Sequence, residues 1–160
     1  MKTRCFISLV ALGAFMLLCQ PAIADDLDDL KATVMKMSQA VNTGDVETLF
    51  ACLDDNMAKF EPEDGIPHVL NKDIKERVKQ GFIKWYETHI YMGMWHKPEF
   101  RVIGNTGLVW GLVEVTVVNK NSGIAQKSFL KFSQTFVKSE GKWFCVFNHQ
   151  SPIPSTLTLP

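Results

Sequence analysis

The sequence predicts an α+β chain in which helices come first and strands last. Apolar residues recur at three- and four-residue steps between Leu27 and Trp85, and in short alternating runs from Phe100 to Gln150. Composition agrees with a single ordinary domain: 160 residues, 46% of them hydrophobic, with 17 basic against 17 acidic side chains. That balance excludes a disordered tail protein and a polybasic nucleic-acid binder.

The first segment stands apart from this fold. Lys2 and Arg4 precede an apolar run, Phe6 to Leu18, which Pro21-Ala22-Ile23-Ala24 follows. A basic start, a short apolar middle and small residues before a cut make up a secretory signal peptide, so residues 1–24 are expected to leave by cleavage after Ala24. A membrane-spanning helix needs roughly 20 apolar residues, more than this run offers. A lipid anchor at Cys19 is the lesser alternative, because Leu18 occupies a position where lipoprotein processing takes a small side chain. The expected location is therefore secreted or periplasmic, without membrane attachment once the signal is cut.

Cleavage removes two of the 17 basic residues and leaves 15 against 17 acidic ones, a net charge of −2 that names no partner. It also leaves only Cys52 and Cys145. Each is flanked by apolar residues and is expected as a buried thiol, with a disulfide as the alternative. His68, His89, His96 and His149 are scattered, and no CxxC, HExxH, GxGxxG, P-loop or GxSxG occurs, so neither metal nor cofactor is expected.

From Asp25 the elements follow in order. Asp25, Asp26, Asp28 and Asp29 suit a helix N-terminus, and Leu27, Leu30, Val34, Met37 and Val41 form one buried stripe of that helix. Gly44 suits a left-handed cap, and Asp45 can cap the next element. Val46 to Leu53 reads as a short second helix. Glu61-Pro62-Glu63-Asp64-Gly65-Ile66-Pro67 is a loop, since its prolines exclude helix. Asn71 caps a third helix, with Ile74, Val78, Phe82 and Trp85 on one face, ending near His89. Strands are expected at Phe100 to Ile103, Leu108 to Val118, Ala125 to Val137 and Trp143 to Gln150. The domain spans residues 25–153, and residues 154–160 form a loosely held tail.

Pairing Val118 with Ala125 puts Val113, Val115, Leu130, Phe132, Gln134 and Phe136 on a core face. It puts Trp110, Leu112, Glu114 and Thr116 on the other, beside Lys127, Phe129, Lys131 and Ser133. The mixed character of that second face suits a homodimer interface.

Helices followed by a curved antiparallel sheet, with Val41-Asn42-Thr43-Gly44-Asp45 closing the first helix and Gly141-Lys142-Trp143 opening the last strand, resemble the nuclear transport factor 2-like superfamily, in particular its SnoaL-like branch. Glu140-Gly141-Lys142-Trp143, Val146 and His149-Gln150-Ser151 are also similar to the association domain of calcium/calmodulin-dependent kinase II. The resemblance implies a cone-shaped roll with three N-terminal helices packed on the sheet and a cavity between them, a fold that hosts many functions. In the ketosteroid isomerase branch the general base is a carboxylate followed by proline, and Glu61-Pro62 stands near that place. The isomerase tyrosine falls at Met37 and its protonated aspartate at Gln134, so both oxyanion donors are replaced. Arginines of the kinase association-domain pocket align with Gln134 and Gln150, both neutral here.

Glu61 is thus either a general base or a solvated loop carboxylate beside Glu63 and Asp64. Gln134 is either a ligand donor or a core amide satisfied by backbone. Asn148 and Gln150 share the cavity face with Val146 by alternation, while Trp143, Cys145, Phe147 and His149 take the opposite face. Trp85, Tyr86, Tyr91, Met92, Met94 and Trp95 either wall a pocket or pack as core. Met37, Gln134, Val146, Asn148 and Gln150 are the expected ligand contacts, and without a nearby Lys or Arg they would suit a small, largely hydrophobic, uncharged molecule. Three functions remain open: a secreted small-molecule-binding protein, a cofactor-independent acid/base enzyme (isomerase, cyclase or dehydratase type) using Glu61, and a dimeric interaction module.

Overall fold

The computed structural model describes residues 21–60 and 67–153. Helix α1 (Pro21–Thr43) is followed by α2 (Val46–Ala51), β1 (Leu53–Phe60), β2 (Pro67–Leu70), α3 (Lys72–Thr88), β3 (His89–Ile103), β4 (Thr106–Asn119), β5 (Ala125–Ser139) and β6 (Lys142–Pro152). The strands form one curved, open sheet in the order β2-β1-β6-β5-β4-β3.

The helices end where their residues dictate. Gly44 takes φ +70 and Asp45 N–H donates to the Ala40 carbonyl at 2.8 Å, closing α1. The Asp45 carboxylate then accepts from Thr48 N–H at 3.0 Å to cap α2, and that backbone bond holds its pKa below the ordinary value. Asn71 caps α3 in the same way through Ile74 N–H at 3.0 Å. The expected stripe of α1 is the buried one: Leu30, Val34 and Met37 face inward, together with Ala40.

Two expectations are corrected. The sheet is mixed, because β1 runs parallel to β6 and antiparallel to β2. Neither strand is among the expected elements: Leu53 reads as the end of the second helix, Pro67 as the end of the loop, and the residues between Leu53 and Glu61 carry no assignment, whereas α2 stops at Ala51 and the third helix enters only after two strands. Asp54, Asp55 and Asn56 in β1 hid the alternation there. Strand β3 is also far longer than Phe100 to Ile103. Its start was masked by apolar side chains on both faces, and it is interrupted by a bulge between His96 and Glu99 at which Lys97 takes φ 47. As the edge strand, β3 tolerates Pro98 there, since a missing N–H costs no ladder bond.

The β4/β5 register is the expected one, Val118 opposite Ala125 and Val113 opposite Leu130. Val109, Val113, Val115, Gln134 and Phe136 are buried under the helices, and Trp110 and Phe129 are exposed on the far face. Close approaches seat the helices. Gly107 lies under Leu30, where a Cβ would come within 2.8 Å of both Leu30 methyls. Tyr86 of α3 donates its hydroxyl to the Val41 carbonyl of α1 at 2.7 Å, and Phe50 of α2 meets Phe82 of α3 edge to face at 5.7 Å. Lys75 bonds the Leu53 carbonyl at 2.7 Å and Asp55 at 2.8 Å, tying α3 to β1.

Candidate functional site

Between α1, α3 and the inner face of the sheet lies a cavity of about 670 Å³. Its walls are mostly apolar, with Val34, Met37 and Val41 from α1, Phe82 and Trp85 from α3, Met57 from β1, Trp95 from β3 and Phe132 from β5. Period-two alternation in β3 explains the aromatic wall: Tyr91, Gly93 and Trp95 face the cavity, whereas Ile90, Met92 and Met94 face outward and are exposed. Trp85, Tyr86, Tyr91 and Trp95 of the aromatic stretch therefore wall a pocket, and Met92 and Met94 do not.

This wall is held in place by polar bonds that are already satisfied. Asn42 clamps the edge strand, accepting from Gly93 N–H at 2.6 Å and donating to the Gly93 carbonyl at 2.9 Å. Trp95 donates its indole N–H to Ser38 Oγ at 3.1 Å. Gly93 has no side chain because the Tyr91 ring folds over it, with Cε1 only 2.7 Å from where a Cβ would stand. Burial pushes the Tyr91 phenol pKa up and that of Tyr86 up to about 12, so both remain neutral hydroxyls.

Of the expected ligand contacts, Met37, Gln134, Asn148 and Gln150 line the cavity. Among the described residues no backbone group bonds the Gln134 or Gln150 side chain, so neither is a core amide satisfied in that way. Val146 is not part of the lining, which is a correction. The β5/β6 register slips between Thr135 and Phe136, so that Thr135 faces Phe147 while Phe136 faces Cys145, and Val146 is the extra residue of a bulge. Past a bulge the alternation resets. Cys145 lines the cavity and Trp143 is buried, against the expected outward placement of both, while His149 is exposed as expected and meets Phe60 at 5.8 Å on the outer side.

Lys59 was missed altogether. It lines the cavity from β1, a strand the sequence pattern had concealed, and it removes the premise that no cation stands near. Glu61 lies outside the described residues. Cys52 and Cys145 are both free and buried, and burial pushes the Cys145 thiol up to about 12. Among the described residues, no three His, Cys, Asp or Glu side chains gather as metal ligands, and no helix is long and apolar enough to cross a membrane.

Comparisons with known proteins agree with this architecture. A ketosteroid isomerase-like protein from Erwinia carotovora atroseptica superposes with a TM-score of 0.63 at 18% identity, covering 80% of this chain and 96% of that one. The kinase II hub of S. rosetta gives 0.63 at 20% identity, covering 79% and 96%, and a nuclear transport factor 2-like protein from Cytophaga hutchinsonii gives 0.64 at 16%, covering 79% and 97%. At these identities the likeness is one of fold. No curated protein sequence matches significantly. Residues 27–154, nearly the whole of the domain described above, match the calcium/calmodulin dependent protein kinase II association domain family, and the chain belongs to that family.

Proposed function

We propose that the protein binds a small, largely apolar molecule in the cavity between its helices and its sheet. One observation carries this reading: a cavity of about 670 Å³ with a mainly apolar wall and a few amide side chains. Ligand sites of small molecules have this size and this mixture of apolar wall with sparse polar groups. Mass spectrometry of natively purified protein tests it. A co-purifying molecule released on denaturation supports the reading. Protein without added mass that also fails to bind the neutral dye N-phenyl-1-naphthylamine overturns it.

A second observation favours homodimerisation. Trp110, Phe129, Met92 and Met94 are exposed on the outer face of β3, β4 and β5, and Glu114 in their midst is paired with Lys127 at 2.6 Å and lies 3.3 Å from His96 Nε2. Such a face is too apolar for solvent alone. Membership in an association-domain family and similarity to a hub point the same way. Light scattering at tens of micromolar is expected to give a dimer mass or a multiple of it, and a monomer mass rejects the interface. Export completes the proposal: N-terminal sequencing of secreted material is expected to begin at Asp25, and Met1 or a lipid-modified Cys19 would refute it.

A further inference from the structure

We infer that the cavity selects a ligand bearing a primary amide or lactam edge, an inference that rests on the ligand-binding reading above and names the chemistry it leaves open. The argument starts from register. Gln134 on β5 stands opposite Asn148 on β6, and Asn148 stands opposite Lys59 on β1. The three side chains line the same cavity, so they form one polar row across three adjacent strands, roughly 10 Å wide at ordinary strand spacing. Phe132 and Cys145 are apolar neighbours of the row along the strands, and Gln150 adds a second amide beside Asn148 on β6.

Among the described residues nothing compensates for the centre of this row: Asn148 Oδ1 is buried with no hydrogen-bond partner, an unfavourable state for a polar atom. An apolar residue of the same shape would avoid that cost, which makes a partner absent from the protein itself the economical explanation. The terminal torsion of an asparagine is broad, so a modest turn brings its carbonyl to the cavity that the residue already lines.

A carboxamide offers one acceptor and one donor side by side. The group that satisfies both has an N–H and a C=O on one edge, as a primary amide or a lactam does. Its N–H donates to Asn148 Oδ1 while its C=O accepts from the Asn148 or Gln134 amide. An ester or a ketone provides no donor, and a tertiary amide has lost it, so each leaves Oδ1 unpaired. A carboxylate provides no donor either. The pairing is unchanged if the Asn148 amide is turned by half a turn, because the ligand edge turns with it.

The test is competition against N-phenyl-1-naphthylamine fluorescence with three probes of equal chain length: octanamide, N,N-dimethyloctanamide and methyl octanoate. Octanamide is expected to displace the dye at about tenfold lower concentration than the other two, the effect of one hydrogen bond of ordinary strength. In Asn148→Leu the three probes are compared with one another within the variant, and the tenfold preference for octanamide is expected to vanish. Equal displacement by all three probes in the wild type overturns the amide inference while leaving the apolar site standing. A dye that never binds overturns both. The wild-type comparison is decisive by itself, so a poorly folding variant does not remove the test.

Discussion

Gly81 separates what holds helix α3 together from what keeps the cavity open. It lies inside the Lys72–Thr88 helix, borders the cavity, and a Cβ built there meets nothing within 4 Å. Glycine in a helix interior costs about 0.5–1 kcal/mol relative to alanine, because the unfolded chain has more freedom to lose. With no neighbour to strain, Gly81→Ala is expected to recover that amount, raising the melting temperature by about 2–5 °C for a domain of this size. Gly81→Phe also removes the glycine and keeps the fold, but it puts a ring into the open space beside Phe82 and Trp85. Dye binding is expected to weaken at least tenfold while the melting temperature does not fall. Thermal melts by circular dichroism and dye titration of both variants check the pair. Two results would refute the reasoning: a lower melting temperature in Gly81→Ala, which would mean that the site is not open, or unchanged dye affinity in Gly81→Phe, which would mean that the ligand does not use this wall.

Three further outcomes follow from the geometry. Gly107→Ala places a Cβ 2.8 Å from the Leu30 methyls and is expected to destabilise by about 1–3 kcal/mol in urea titrations. Combined with Leu30→Ala, which alone costs about 2–5 kcal/mol, it is expected to cost less than the sum, and strict additivity argues against the contact. Asn42→Ala removes the two bonds to Gly93 and is expected to speed amide exchange at Gly93 with a loss of about 1 kcal/mol; unchanged exchange rejects the clamp. Burial raises the Cys145 thiol from 9.0 to about 12, so the neutral form is favoured in the folded state. The stability this contributes is complete below the unfolded thiol's pKa and is lost as pH rises from about 9 toward 12. Cys145→Ala is expected to be less stable at pH 8 but to decline less between pH 9 and 11 in denaturant titrations; parallel declines in the two proteins refute this.

Whatever rests on local periodicity and capping chemistry was determined by the sequence alone. The stripe of α1, the caps at Gly44, Asp45 and Asn71, and the Val118 to Ala125 register needed only steps of three, four or two residues and the known preferences of turn side chains. From those came the helices, the long hairpins, and Met37, Gln134, Asn148 and Gln150 as inward residues. Features that depend on partners distant in the chain were decided only by the tertiary structure. Strand β1 reads as polar because Asp54, Asp55 and Asn56 interrupt its pattern; it becomes a strand by pairing with β6, nearly ninety residues later. That pairing brings Lys59 to the cavity and into line with Asn148 and Gln134. The bulge at Val146 is equally invisible to alternation, since one extra residue exchanges the faces of a strand without altering its composition. Side-chain types along a strand set which faces are possible, while neighbouring strands decide which face each residue takes.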